Sequence, residues 1–144
     1  MIQKIVEIQH GIYAKDCVEL SWFDMKKPHL TAVSKEGVEF VLKQGSQHLH
    51  TGDVLVCENG HTIIIQKGMD NIYTLEFEVS LLFAKTAYEI GNRHQPICIE
   101  NMKITVLEDV SLQDIIAHLE TEKAVHVTKT TGYFTQNAHA HHTH

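Results

Sequence analysis

The fold of the second half of the chain turns on the segment Tyr88-Glu89-Ile90-Gly91-Asn92-Arg93-His94-Gln95-Pro96, where a helical pattern ends. Upstream, apolar residues recur at helical spacing, which indicates an amphipathic helix with one buried face formed by Phe83, Ala84, Ala87 and Ile90. Gly91 and Asn92 readily adopt the left-handed conformation that closes a helix, and Pro96 prevents it from resuming. The pattern therefore predicts a helix that Ser80 caps and that runs to Ile90, with His94 presented at its end.

Strand patterns lie on both sides of this helix. Residues 73–79 alternate apolar and polar side chains, and after Pro96 residues 97–100 and 102–107 form two more β-rich runs joined at Glu100-Asn101. A start like a capping box follows at residues 111–114, then a helical stripe and a final strand over residues 124–128. The stripe consists of Leu112, Ile115, Ile116 and Leu119. The order strand, helix, strand, strand, helix, strand is that of a ferredoxin-like (βαββαβ) domain.

The first half of the chain carries short alternating runs separated by turn residues, with no helical stripe. Its candidate strands are residues 2–8, 18–23, 38–43, 53–57 and 61–66, with Val18, Leu20 and Trp22 on one face of the second. Glu58-Asn59-Gly60 joins the last two strands, because an Asn-Gly pair suits a tight hairpin. Turn residues at 67–71 mark a boundary. We therefore predict an α+β protein with an N-terminal all-β domain (1–70), a ferredoxin-like domain (71–131) and a flexible His-rich tail (132–144).

Composition narrows the class of partner. The formal net charge is −6 with 12 Lys and Arg residues, which argues against nucleic acid and anionic membranes, since either needs a concentrated positive face. No apolar run is long enough for a membrane span and no signal-peptide core follows Met1, so we expect a cytoplasmic protein. The 3 cysteines, Cys17, Cys57 and Cys98, include no Cys-x-x-Cys pair and are predicted to be reduced.

Histidine is the unusual feature of the composition. The chain has 12 histidines, and 4 of them lie in the last 6 residues: His139, His141, His142 and His144. Several neutral imidazoles on a flexible segment can reach one borderline divalent metal ion in many geometries, so the terminus is a candidate metal-binding tract. An expression tag is the alternative, although tags are usually homopolymeric and this run is interrupted by Ala140 and Thr143.

His94 is the candidate ligand in the folded part of the chain, because an imidazole on a turn-constrained segment loses little freedom on coordination. A polar surface residue beside a helix cap is the alternative interpretation. Cys98 and Glu89 are close enough in sequence to be further candidates, with a buried thiol and a solvated carboxylate as alternatives. His48 and His50 fit a solvated loop better than a second metal site.

The run from Ile90 to Pro96, followed by a His-rich terminus, resembles the signature of UreE-type urease accessory proteins, which are nickel metallochaperones. Weaker similarity extends to residues 37–42, 52–55 and 58–60. The resemblance implies that His94 binds Ni²⁺ together with its symmetry mate at a homodimer interface. It also implies that the tail supplies further ligands, which are His139, His141, His142 and His144.

The same resemblance implies an N-terminal domain of the partner- or peptide-binding type. The implied partners are the urease apoprotein and other urease accessory proteins, including a GTPase. The choice of nickel as the metal rests on the resemblance alone, because imidazole sites also accept Zn²⁺ and Cu²⁺. We therefore expect a non-enzymatic carrier that delivers nickel to urease.

Three other functions are a metal-dependent hydrolase, a general store of divalent metal and an RNA-binding module. A metal-dependent hydrolase would need a His-Glu-x-x-His motif or several ligands with a general base, and the sequence has no such constellation. A general store or buffer of divalent metal stays open as an alternative. An RNA-binding module shares the ferredoxin-like plan, but the basic and aromatic strand motif is missing.

Overall fold

The computed structural model describes residues 1–43 and 48–138. The chain is mixed α+β, with more strand than helix, and its contacts divide it into two compact units between Met69 and Asp70. Within the described residues, no helix combines the length and the apolar character needed to cross a membrane.

The first unit is a six-stranded sheet with one short helix. Its elements are β1 (Gln3–Gln9), β2 (Asp16–Leu20), α1 (Trp22–Lys26), β3 (His29–Val33), β4 (Glu39–Lys43), β5 (Val54–Cys57) and β6 (Thr62–Lys67). The strand order is β2-β6-β5-β1-β4-β3. Alternate side chains are buried along β2, β4 and β6, as the two-residue period of a strand requires, and Phe40, Leu55 and Ile63 are completely buried.

The helix α1 corrects the prediction that residues 18–23 form one strand and that this half has no helix. Ser21 ends the strand, because its side chain accepts a hydrogen bond from the N–H of Asp24 while the Asp24 carboxylate accepts from the N–H of Ser21. This reciprocal capping box starts a helix at Trp22, so Trp22 does not continue the face of Val18 and Leu20.

The second unit contains two helices on a four-stranded sheet. Its elements are β7 (Asp70–Phe77), α2 (Ser80–Asn92), β8 (Ile97–Glu100), β9 (Lys103–Leu107), α3 (Gln113–Glu120) and β10 (Val125–Gly132). The strand order is β10-β7-β9-β8, and every neighbouring pair is antiparallel. Thus β9 lies between the two strands that α2 connects, and β7 lies between the two that α3 connects. The core between sheet and helices includes Leu75, Ile90, Ile104 and Ile116.

The helix boundaries differ from the prediction in detail. Phe83, Ala87 and Ile90 face the core as expected, but Ala84 is exposed and Thr86 is buried instead. Ser80 is the first residue of α2 and not its cap, which is Val79 and carries no side-chain hydrogen bond. A single 3-10 turn (Val110–Leu112) precedes α3, and it is capped by Asp109, whose carboxylate accepts from the N–H and the hydroxyl of Ser111. These bonds hold the pKa of Asp109 below its usual value.

The segment that follows β10 also differs from the prediction of a flexible tail beginning at Gly132. β10 itself extends to Gly132, the Phe134 side chain is buried at 1% exposure, and Ala138 pairs with Ile97. Residues 132–138 therefore pack on the second unit, because their apolar side chains and backbone groups find partners there. The tail histidines His139, His141, His142 and His144 lie outside the described residues.

Candidate metal centre

His94 occupies the turn that reverses the chain after α2. The helix continues through Gly91 and Asn92, contrary to the prediction that these two close it in a left-handed conformation. The left-handed residue is His94 itself, with a φ of 58°, and its N–H donates to the carbonyl of Gly91 at 3.0 Å. His94 thus takes the position where a helix is usually ended by glycine.

This backbone conformation is costly for a residue with a side chain. A left-handed residue costs roughly 1–2 kcal/mol when it carries a Cβ atom, so a chain selected for stability alone would place glycine here. The His94 residue is also exposed to solvent. A strained backbone that presents an exposed imidazole supports a functional role for His94.

Arg93 ties the same turn to the start of α3. Its guanidinium donates to the carbonyl oxygen of Ser111 at 2.6 Å and forms a two-pronged ion pair with the Asp114 carboxylate. This hydrogen-bonded pair lowers the pKa of Asp114 to about 2. A contact between residues 93 and 114 leaves no periodic signal, so the sequence pattern does not predict it. Arg93 thus joins the turn that carries His94 to the residues that begin α3.

The other candidates near His94 are weaker. Cys98 is half-buried in β8, and burial followed by the nearby Glu100 charge raises the pKa of its thiol, which disfavours the thiolate that binds metal. Glu89 is exposed on α2. In the described parts of the chain, His94 belongs to no group of three potential metal ligands. Two further side-chain ligands for an ion at His94 are thus not brought together in the described parts of the chain.

His48 and His50 flank the buried Leu49 in a described stretch, residues 48–50, that is neither helix nor strand, and both are exposed. This agrees with the solvated loop favoured by the sequence. The N–H of His50 donates to the Asp53 carboxylate at 2.9 Å, and the ring of His10 contacts the same carboxylate at 2.7 Å.

Within the described residues, the group of three potential ligands that lie close enough for one ion is Asp16, Glu36 and His61, in the first unit. The Asp16 side chain is fully buried, and its Oδ2 atom lies 3.0 Å from Nε2 of the half-buried His61. Its Oδ1 atom accepts from the N–H groups of Cys17 and Glu36. Burial raises the pKa of Asp16, but hydrogen bonds from Ser34, His61 and these N–H groups lower it below its usual value. The geometry thus accounts for the Asp16 carboxylate without an ion.

Two surface features bear on partners. In the first unit, β1 and β4 pair only at Gln3 and Lys4, and a groove of about 290 Å³ opens beside them, lined by Ile5, Val6, Glu7, Ile8, Leu42 and Lys43. In the second unit, the face of α2 that points away from the core carries Leu81 and Tyr88, which are 62% and 71% exposed. We call this face, together with Ala84, the apolar face of α2.

Comparison with known proteins identifies the family. Residues 70–144 match the family model described as the UreE urease accessory protein, C-terminal domain. The chain is 53% identical to the urease accessory protein UreE of Aliarcobacter butzleri, over all of this chain and 97% of that relative. It is 30% identical to UreE of Halalkalibacterium halodurans, over 87% of this chain and 84% of the relative, and 29% identical to that of Lysinibacillus sphaericus over 84% and 88%. The resemblance seen in residues 90–96 is thereby confirmed, and the chain belongs to the UreE family of urease accessory proteins.

Proposed function

We propose that this protein is a non-enzymatic nickel metallochaperone that binds Ni²⁺ at a homodimer interface and delivers it for assembly of the urease active site. The proposal rests chiefly on His94, an exposed imidazole held at a costly backbone conformation at the end of α2. Membership of the UreE family supports the role in urease assembly.

A second copy of the chain supplies what the folded part of one chain lacks. Ni²⁺ accepts four to six nitrogen or oxygen ligands, and His94 has no two ligand-type neighbours within the described residues. A two-fold contact brings the same residue from each chain to the axis, so two His94 rings converge on one ion. The apolar face of α2 supports such a contact, because the large side chains of Leu81 and Tyr88 are exposed to water on the helix that precedes the His94 turn.

The tail completes the shell in this proposal. Ala138, the last described residue, pairs with Ile97, the first residue of the strand that follows the His94 turn. The imidazoles of His139, His141, His142 and His144 are thus attached to the chain close to the site. Ligands on a terminal segment can leave one at a time, which suits a carrier that gives up its ion. Zn²⁺ or Cu²⁺ can occupy the same imidazole site.

The architecture proposed for this role is an N-terminal β domain and a ferredoxin-like domain that binds metal and dimerises. The strand order of the second unit supports the ferredoxin-like arrangement. The groove beside β1 and β4 supports a partner- or peptide-binding role for the N-terminal domain. Strands that diverge leave backbone groups with which an extended peptide can pair. We propose the urease apoprotein and other urease accessory proteins, including a GTPase, as partners, and the cytoplasm as the location.

A nickel titration by calorimetry, with the mass measured by light scattering, tests the proposal. The intact protein should bind its tightest ion as one per pair of chains. His94→Ala should abolish that event, whereas the control His118→Ala should retain it, because His118 is an exposed histidine on α3 whose ring contacts Glu122. Retention of the tightest event in His94→Ala, or a monomer at saturating nickel, would contradict the shared site. A general metal store would instead bind many ions with similar affinity.

A further inference from the structure

The segment that links β10 to the His-rich terminus crosses from one edge of the four-stranded sheet to the other. β10 and β8 are the two outer strands of that sheet, yet Ala138 pairs with Ile97 of β8 only six residues after β10 ends at Gly132. Phe134 is buried on the way, and Ala138 packs against the core of the second unit. Ala138, the last described residue, therefore lies at the outer edge of β8, and not at the end of β10.

Asn137 holds the segment at this edge. Its side-chain Oδ1 accepts from the N–H of Ile99 at 2.7 Å, and its Nδ2 donates to the carbonyl of the same residue at 2.8 Å. Its backbone N–H donates to the carbonyl of Ile97 at 3.1 Å. The side-chain amide reproduces the pair of bonds that a neighbouring strand would make, and only an amide offers both the donor and the acceptor. Gln136 adds a bond from Nε2 to the carbonyl of Ala138 at 3.0 Å.

The direction of this pairing matters for the site. The bridge between Ile97 and Ala138 is antiparallel, so residues 137 and 138 run in the direction in which β8 leads back to Pro96 and His94. The first tail histidine follows Ala138 directly in sequence. We propose that Asn137 is a positioning residue for metal binding: by clamping the edge of β8, it fixes the root of the His-rich terminus beside the His94 turn.

The clamp acts through the length of free chain between the fold and the tail imidazoles. With the clamp in place, His141 lies three residues beyond the last anchored residue, and without it seven residues beyond the buried Phe134. The entropy cost of closing a flexible loop grows with the logarithm of its length, so this lengthening should weaken tail-dependent binding about 3.5-fold. The effect is a local concentration effect, and no ligand is removed.

This inference rests on the proposed nickel site, and a double-mutant design separates the two. Nickel affinity is measured for the intact chain and for a chain that ends at Ala138, each with and without Asn137→Ala. We expect Asn137→Ala to raise Kd about 3.5-fold in the intact chain and to leave Kd unchanged in the shortened chain. Equal changes in both chains, or no change in the intact chain, would overturn the positioning role. If the shortened chain binds as tightly as the intact one, the tail has no role as a ligand, and both the tail part of the proposed function and this inference fail.

A second variant covers the case in which Asn137→Ala disturbs the sheet. A four-residue Gly-Ser insertion between Ala138 and His139 lengthens the free chain by the same amount and leaves every hydrogen bond of Asn137 intact. It should also raise Kd about 3.5-fold. Unchanged affinity in the insertion variant would show that the position of the root does not matter and would refute the inference.

Discussion

His61 and His94 are two histidines in opposite settings, one in each unit. His61 is 15% exposed, and its ring contacts a carboxylate, Asp16, that is completely buried. His94 is exposed, and its backbone is left-handed. The first arrangement satisfies a buried charge with hydrogen bonds and so stabilises the fold. The second costs stability and presents an imidazole to solvent.

The comparison shows why proximity of ligand-type side chains is a poor guide to function in this protein. The Asp16, Glu36 and His61 group has the spacing of a metal site, but its central carboxylate already accepts several hydrogen bonds. His94 belongs to no such group within the described residues. In the function we propose, its other ligands come from the tail and from a second chain. An incomplete site with backbone strain is what a shared, releasable metal site would look like in one chain.

The largest expected effect concerns Asp16. Asp16→Ala should lower the unfolding free energy of the first unit by about 2–4 kcal/mol, because the N–H groups of Cys17 and Glu36 lose their buried acceptor. Urea unfolding followed by the fluorescence of Trp22, the single tryptophan, reports on this unit. Glu36→Ala is the matched control, since Glu36 is exposed and the loss should stay within about 0.5 kcal/mol. A comparable loss in both variants, or nickel-dependent stabilisation that needs Glu36, would make this group a metal site after all.

The second prediction is a substitution at His94 that stabilises the fold, whereas the substitution at Asp16 destabilises it. His94→Gly should stabilise the second unit by about 0.5–1 kcal/mol, because glycine adopts the left-handed conformation without strain, while it removes the proposed ligand. Hydrogen exchange of the α2 amides measures the stability, and calorimetry measures nickel binding. The control Asn92→Gly alters a residue inside the helix and should not stabilise. A destabilised His94→Gly protein would mean that the His94 side chain contributes to the fold.

The smallest effect is the pH dependence of the Arg93 and Asp114 pair. The pKa of Asp114 falls from 3.8 to about 2 in the folded chain, so its contribution to stability is present above pH 3.8 and is lost as the pH falls through about 2. Both groups are solvent-exposed, which keeps the contribution small. Thermal unfolding between pH 5 and 2 should therefore show a slightly steeper acid loss for the parent than for Asp114→Asn. Identical acid profiles would indicate that the pair does not form in solution.

Much of the second unit was predictable because its signals are local. The helical stripe of Leu112, Ile115, Ile116 and Leu119 and the alternation in β7 each follow from the period of one element. The errors came where a short polar motif competes with an apolar pattern. Ser21 and Asp24 form a capping box that starts a helix inside an apparent strand. The alternating apolar residues around Ser21 predict a continuous strand and so conceal this helix start.

The candidate site was predictable only in part. His94 was found because Gly91, Asn92 and Pro96 mark a helix end, and the family signature includes it. The contacts of Arg93 with Asp114 and of Asn137 with Ile99 could not be predicted, because each joins residues that are distant in the chain. Such contacts depend on how strands and helices pack, and single-sequence patterns do not report packing.

The sequence by itself determined the class of each long element, the acidic balance, the His-rich terminus and the residues that relate the chain to its family. These properties are local or compositional, so they can be read from neighbours along the chain. Only the tertiary structure decided that His94, and not Gly91 or Asn92, takes the left-handed turn, and that Asn137 holds the terminus against β8. Both depend on hydrogen bonds between backbone groups whose partners are chosen when the sheet and helices pack together.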